Sequence, residues 1–134
     1  MKSEFTVSTL LIISPEEAFA AWLDSELHSK MTGSKAVVSS EINGNFEAWD
    51  GYISGTNLEL DKGKRILRSW RTAEFTDNEP DSHIDLIFEP DGDGCKITLR
   101  HWDLPDHGAQ YESGWEESYF TPMRAYFSRK SLAD

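Results

Sequence analysis

The C-terminal segment sets the strongest constraint on what this chain can fold into. At about 100° per residue, Tyr111, Trp115, Tyr119, Phe120, Met123, Tyr126 and Phe127 fill an arc of roughly 180°, wider than the stripe of an ordinary surface helix. The spacing predicts a helix over 107–130, with Glu117, Thr121, Arg124 and Ser128 on the opposite side. Acids crowd its start (Glu112, Glu116, Glu117) and bases its end (Arg124, Arg129, Lys130), which complements the helix dipole. So broad an apolar face must be embraced by something curved. Pro122 interrupts it, removing the hydrogen bond to the Ser118 carbonyl and clashing with that turn. The resulting kink either fits the helix to a curved partner or opens space beneath it; the first reading is favoured.

The only large surface available is a sheet. From Lys35 the pattern has period two for about seventy residues. Strands are expected at 36–42, 46–49, 53–60, 65–72, 83–88 and 96–103. Asn43-Gly44, Asp50-Gly51 and the run Asp91 to Gly94 supply hairpin turns that need positive φ, and Asp61-Lys62-Gly63 a looser one. Hairpin links make neighbours antiparallel; the longest loop runs from Thr76 to Ser82. Before Lys35, the alternation of Phe5, Val7, Thr9 and Leu11 predicts a first strand continuing to Ile13. Ser14-Pro15-x-Glu17 then reads as a capping box opening a helix with Ala18, Phe19, Trp22 and Leu23 on one face. Asp24 restarts a second short helix, which Gly33 stops. The fold class is therefore α+β, ordered β-α-α-β6-α, with a curved antiparallel sheet around a long C-terminal helix. Residues 1–134 are expected to form a single domain, with no internal repeat or linker.

Charge narrows the partners. Twenty-four acids oppose 13 bases for a net charge of −11, and from Ala73 to Gly94 there are eight acids and no Lys or Arg. Nucleic-acid binding needs a basic stripe, and anionic membranes would repel that face. The acidic stretch reads as a solvated rim or as a docking surface for a basic partner. Cys95 is alone, so neither an internal disulfide nor a thiolate cluster can form. The N-terminus lacks a signal-peptide core, and a cytoplasmic location is expected.

This order is the helix-grip arrangement of the START-like, or Bet v 1-like, superfamily (SRPBCC). Local residues narrow it. Ser14-Pro15-Glu16-Glu17 with Ala18-Phe19 and Trp22, Phe46-x-x-Trp49-x-Gly51-x-Ile53-x-Gly55, Ile66-x-x-x-Trp70-Arg71, His101-x-x-Leu104-Pro105, and Gly114-Trp115 with Tyr119-Phe120 and Tyr126-Phe127 resemble the domain of the heat shock protein 90 ATPase activator homologue family. The likeness runs over nearly the whole chain. It implies a stress-response setting and a heat shock protein 90 homologue as a possible partner. In the family's eukaryotic co-chaperones the domain follows a separate N-terminal domain; here it is expected to begin at residue 3.

No catalytic signature emerges. Of the four histidines, His101-x-Asp103 and His107 could suggest a metal or an acid–base pair, but there is no HExxH spacing and no arguable third ligand. Asp91-Gly92-Asp93-Gly94 puts Cys95 and Trp102 where a calcium loop needs oxygen ligands, so it is a turn. No nucleophile elbow, phosphate loop or dinucleotide fingerprint exists, and no metal or cofactor is expected. A cavity between sheet and helix would be lined by Trp70, Phe88, Trp115, Tyr119 and Met123, with His101 as a polar group; a tightly packed core is the competing reading. His101 is either a satisfied structural histidine or a ligand contact. Glu112 falls within the apolar arc near the helix start and is either a rim carboxylate or a pocket one. The side of the sheet that Trp70 faces stays open, because Arg68 shares its parity. The expected function is a non-enzymatic binding domain for a small apolar ligand. The alternatives are a chaperone-interaction module and, last, a cyclase- or dehydratase-like enzyme.

Overall fold

A computed structural model describes residues 3–133, with side chains from Glu4 to Ser128. Its elements are β1 (Ser3–Leu11), α1 (Pro15–Trp22), α2 (Ser25–Thr32), β2 (Val37–Val38), β3 (Asn45–Ala48), β4 (Ile53–Asp61), β5 (Arg65–Thr72), β6 (Ser82–Asp91) and β7 (Gly94–Leu104). A 3₁₀ turn (Asp106–Ala109) then leads into α3 (Gln110–Trp115), a π turn (Glu116–Phe120) and α4 (Thr121–Ala133). The seven strands form one antiparallel curved sheet in the order β1-β7-β6-β5-β4-β3-β2.

Local chemistry accounts for the starts and stops. Ser14 Oγ accepts from the Glu17 amide at 3.1 Å, and Asp24 Oδ1 accepts from the Leu27 amide at 2.9 Å, so both short helices carry true side-chain caps. Gly33 ends α2 with φ of 80°. Strands β4 to β7 form essentially where period two predicts them, and a bulge between Asn57 and Glu59 helps bend the sheet. The strand expected over 36–42 shrinks to Val37–Val38, because Ser39 and Glu41 offer their carbonyls to the Asn57 side-chain amide instead.

The core lies between the concave face and the C-terminal helix. Ile66, Trp70, Ile84, Leu86, Phe88, Ile97 and Leu99 meet Trp115, Phe120, Met123 and Phe127, all buried. Arg68 and Trp70 both point inward from β5, so their shared parity holds. α1 packs on β6 and β7.

Where the sequence predicts an α-helix kinked at Pro122, the structure has a π turn just before it. That turn covers five residues and closes with the Thr121 amide donating to the Glu116 carbonyl. A proline inside an α-helix collides with the carbonyl four residues back, and a wider turn moves that carbonyl away. Five residues at roughly 80° each hold everything after Phe120 back by about one residue's rotation. The apolar arc thereby narrows from roughly 180° to roughly 120°, and Glu112 falls outside it. Glu112 is accordingly exposed. The expected side-chain bases at the helix end, Arg129 and Lys130, lie outside the described side chains, leaving Arg124, which pairs with Glu116.

Candidate functional site

Between the β3–β4 corner and the last helix lies an open pocket of about 260 Å³. Trp49, Tyr52 and Ile53 come from the corner, Trp70 from β5, and Tyr111, Gly114, Trp115, Ser118 and Tyr119 from the helix. The corner is an unusual turn: Trp49, Asp50 and Gly51 all have positive φ, at 53°, 56° and 89°. For a tryptophan this conformation costs on the order of 1–2 kcal/mol. It is held by the Asp50 amide, which donates to the Lys35 carbonyl at 2.9 Å. Along a regular strand Trp49 would share the outward face of Glu47; the left-handed turn brings it to the pocket instead.

The rings interlock. Trp70 meets Tyr111 edge-on at 5.0 Å and Trp115 at 5.6 Å, Trp115 meets Tyr119 at 4.9 Å, and Tyr119 stacks on Trp22 at 5.0 Å. Such contacts fix the lining before anything binds.

Behind them sits a closed polar chain. The Trp115 indole N–H donates to His101 Nδ1 at 3.1 Å, so Nε2 carries the proton and donates to Ser82 Oγ at 2.8 Å. Ser82 in turn donates to the Trp70 carbonyl at 2.7 Å. Burial pushes the His101 pKa down to about 3, with His83 adding a smaller like-charge effect. His28 is arranged alike: Nδ1 donates to the Trp22 carbonyl, Nε2 accepts from the Tyr119 hydroxyl at 3.0 Å, and burial lowers its pKa to about 4. Both imidazoles are neutral and satisfied, and they orient pocket rings without touching the pocket.

Outside the lining, Tyr52 Oη donates to Glu74 Oε2 at 2.7 Å and Tyr111 Oη to the same oxygen at 3.3 Å, while Thr72 Oγ1 lies 2.7 Å from Tyr111 Oη. Burial above all holds both phenols above their ordinary pKa, so they keep their protons. Near neutrality these phenols do not shuttle protons.

Of the residues expected to line a cavity, the structure brings together Trp70, Trp115 and Tyr119. Phe88 does not line it; it packs edge-on against Phe19 at 5.7 Å. Met123 lies wholly in the core, His101 lies behind the rings, and Glu112 faces solvent. Nor do His101, Asp103 and His107 converge: Asp103 pairs with His83 and His107 with Glu79, each at 3.0 Å. Sequence reasoning missed Trp49, Tyr52, Ile53, Gly114 and Ser118. The signal for the first three was the Asp50-Gly51 turn with an aromatic on each side.

Arg68 is the oddest buried group. Only 1% exposed, it donates to Asn57 Oδ1 at 2.8 Å and lies 3.9 Å over the Phe46 ring, while its Nε has no partner. Desolvation lowers its pKa to about 10, so it stays charged at neutral pH.

Among the described residues no helix is long and apolar enough to cross a membrane. The family described as Activator of Hsp90 ATPase homolog 1-like protein matches residues 13–128. The human activator of 90 kDa heat shock protein ATPase homolog 1 is 24% identical over 128 residues, covering 92% of this chain and 37% of that protein. The chain thus spans about a third of that relative's length. Among solved structures, an HSP90 activator from Plasmodium falciparum superposes with a TM-score of 0.82 at 21% identity, covering 91% of this chain and 94% of the other. Ara h 8.0201 superposes with 0.73 at 14% identity, covering 96% and 99%, and shares the Bet v 1-like fold. A match running from just after β1 into α4, through every strand around the pocket, leaves one conclusion: this chain belongs to the Activator of Hsp90 ATPase homolog 1-like family.

Proposed function

We propose that this domain binds a small apolar molecule in the pocket between the β3–β4 corner and the last helix. The observation that carries the reading is a preformed opening of about 260 Å³ in which six of the nine lining residues are aromatic. That volume lies near the lower edge of small-molecule pockets, roughly 300–1,000 Å³, and suits a fragment-sized ligand. Gly114 provides the test. A Cβ built there meets nothing within 4 Å, so a leucine can enter the mouth without disturbing the core. Lipids, sterols and flavonoid-like compounds are screened by NMR shifts on wild type and Gly114→Leu. Shifts at the tryptophan indoles that vanish in the variant support the reading; silence from every class in the wild type removes it.

A second reading is favoured by the family match and the charge of −11: an interaction module that engages a heat shock protein 90 homologue. The ATPase rate of the host's homologue, with and without this chain, measures it. No binding and no change in rate would count decisively against it.

A further inference from the structure

We propose that the pocket selects an organic cation, a quaternary or fully alkylated ammonium carried on a small apolar body. This rests on reading the pocket as a ligand site and names the chemistry it takes. Two independent observations converge. Trp49, Trp70, Trp115, Tyr52, Tyr111 and Tyr119 line one opening, and no lining residue is basic. The negative ring faces of such side chains attract cations, tryptophan most of all. Next to the lining, the Glu74 carboxylate accepts from the hydroxyls of two lining tyrosines, at 2.7 and 3.3 Å.

The same geometry argues for alkylation. A primary ammonium brings three N–H donors, each of which needs an acceptor once water is removed. Among Trp49, Trp70 and Trp115 the lining offers ring carbon and the single hydroxyl of Ser118, too few acceptors for three donors. Methyl groups on nitrogen remove that demand and keep the charge.

Arg68 opposes a cation from outside the lining, two residues from Trp70 along β5. Its guanidinium is engaged with Phe46 and Asn57. Thr72, which marks the Tyr111–Glu74 end, is four residues further along β5, roughly 13 Å at the strand rise. A cation held beside the Glu74 end therefore keeps its greater separation from Arg68 and its smaller one from the carboxylate. An anion in the pocket would face ring faces and a carboxylate.

The test titrates the intact chain with choline and with 3,3-dimethyl-1-butanol, its neutral carbon isostere, following the tryptophan indole resonances. Choline is expected to bind about fivefold or more tightly than the alcohol, the preference to drop at least about twofold in Glu74→Gln, and choline shifts to vanish in Gly114→Leu. Glu74 is exposed, so its substitution leaves the core intact. Equal affinities, or a preference for the alcohol, overturn the cation proposal while leaving the apolar pocket standing. A choline preference indifferent to Glu74→Gln, or choline shifts that persist in Gly114→Leu, also overturns it. If neither probe moves an indole, the cation proposal falls, and the apolar reading is decided by the lipid, sterol and flavonoid screen.

Discussion

His28 and His101 are each wholly buried and neutral, and their partners would have to be broken to charge them. Free imidazole titrates near 6.5. The folded values of about 4 and 3 mean that, between those and about 6.5, the unfolded chain binds more protons than the folded one. Their stabilisation is therefore complete above roughly pH 6.5 and is lost as pH falls toward 4. Two such groups give a slope of up to about 2.7 kcal/mol per pH unit. Urea midpoints between pH 7 and 5 should fall steeply at constant m; a flat profile would contradict the burial of both rings in their neutral form. Asn57 provides a second check, being the acceptor that the buried Arg68 guanidinium uses. Asn57→Leu strands that charge and should cost about 3–5 kcal/mol, read by the same denaturation.

At the level of elements, the π turn and Pro122 belong together. Reverting Glu116–Phe120 to α-helix would rotate all that follows by about 100°, lifting Met123 and Phe127 out of the core. Packing therefore holds the wide turn whether or not the proline is present. Pro122→Ala should leave the indole shifts in place and add roughly 1–3 kcal/mol of stability, since proline is the poorest interior helix residue. This element also shows where the sequence could be read and where it could not. Its aromatic face and its place on the sheet followed from spacing, because burial needs a periodic stripe. The π turn did not, since periodicity arithmetic assumes a constant rotation per residue. Glu112 entered the apolar arc for that reason alone. The period-two strands likewise set most of the sheet, yet Trp49 reached the pocket through three positive-φ residues that no alternation pattern encodes. Trp70, Trp115 and Tyr119 were readable because they sit on regular segments. Phe88 and Met123 share that regularity, and sequence cannot say which buried rings border empty space.

Across the whole molecule, sheet order separates neighbours in sequence. Among the described residues β1 and β2 lie at opposite edges, and β1 pairs with β7, Leu11 facing Cys95. During synthesis the first strand must then wait for 84 residues (95 − 11) before its partner exists. At roughly 5–20 residues per second that is several seconds or more on the ribosome. Leu10 and Ile12, exposed even in the finished protein, accompany that idle strand throughout. Nascent chains stalled before Gly94 should thus remain protease-sensitive, and the commitment to fold comes late, once the seventh strand and the helix that follows it have both emerged.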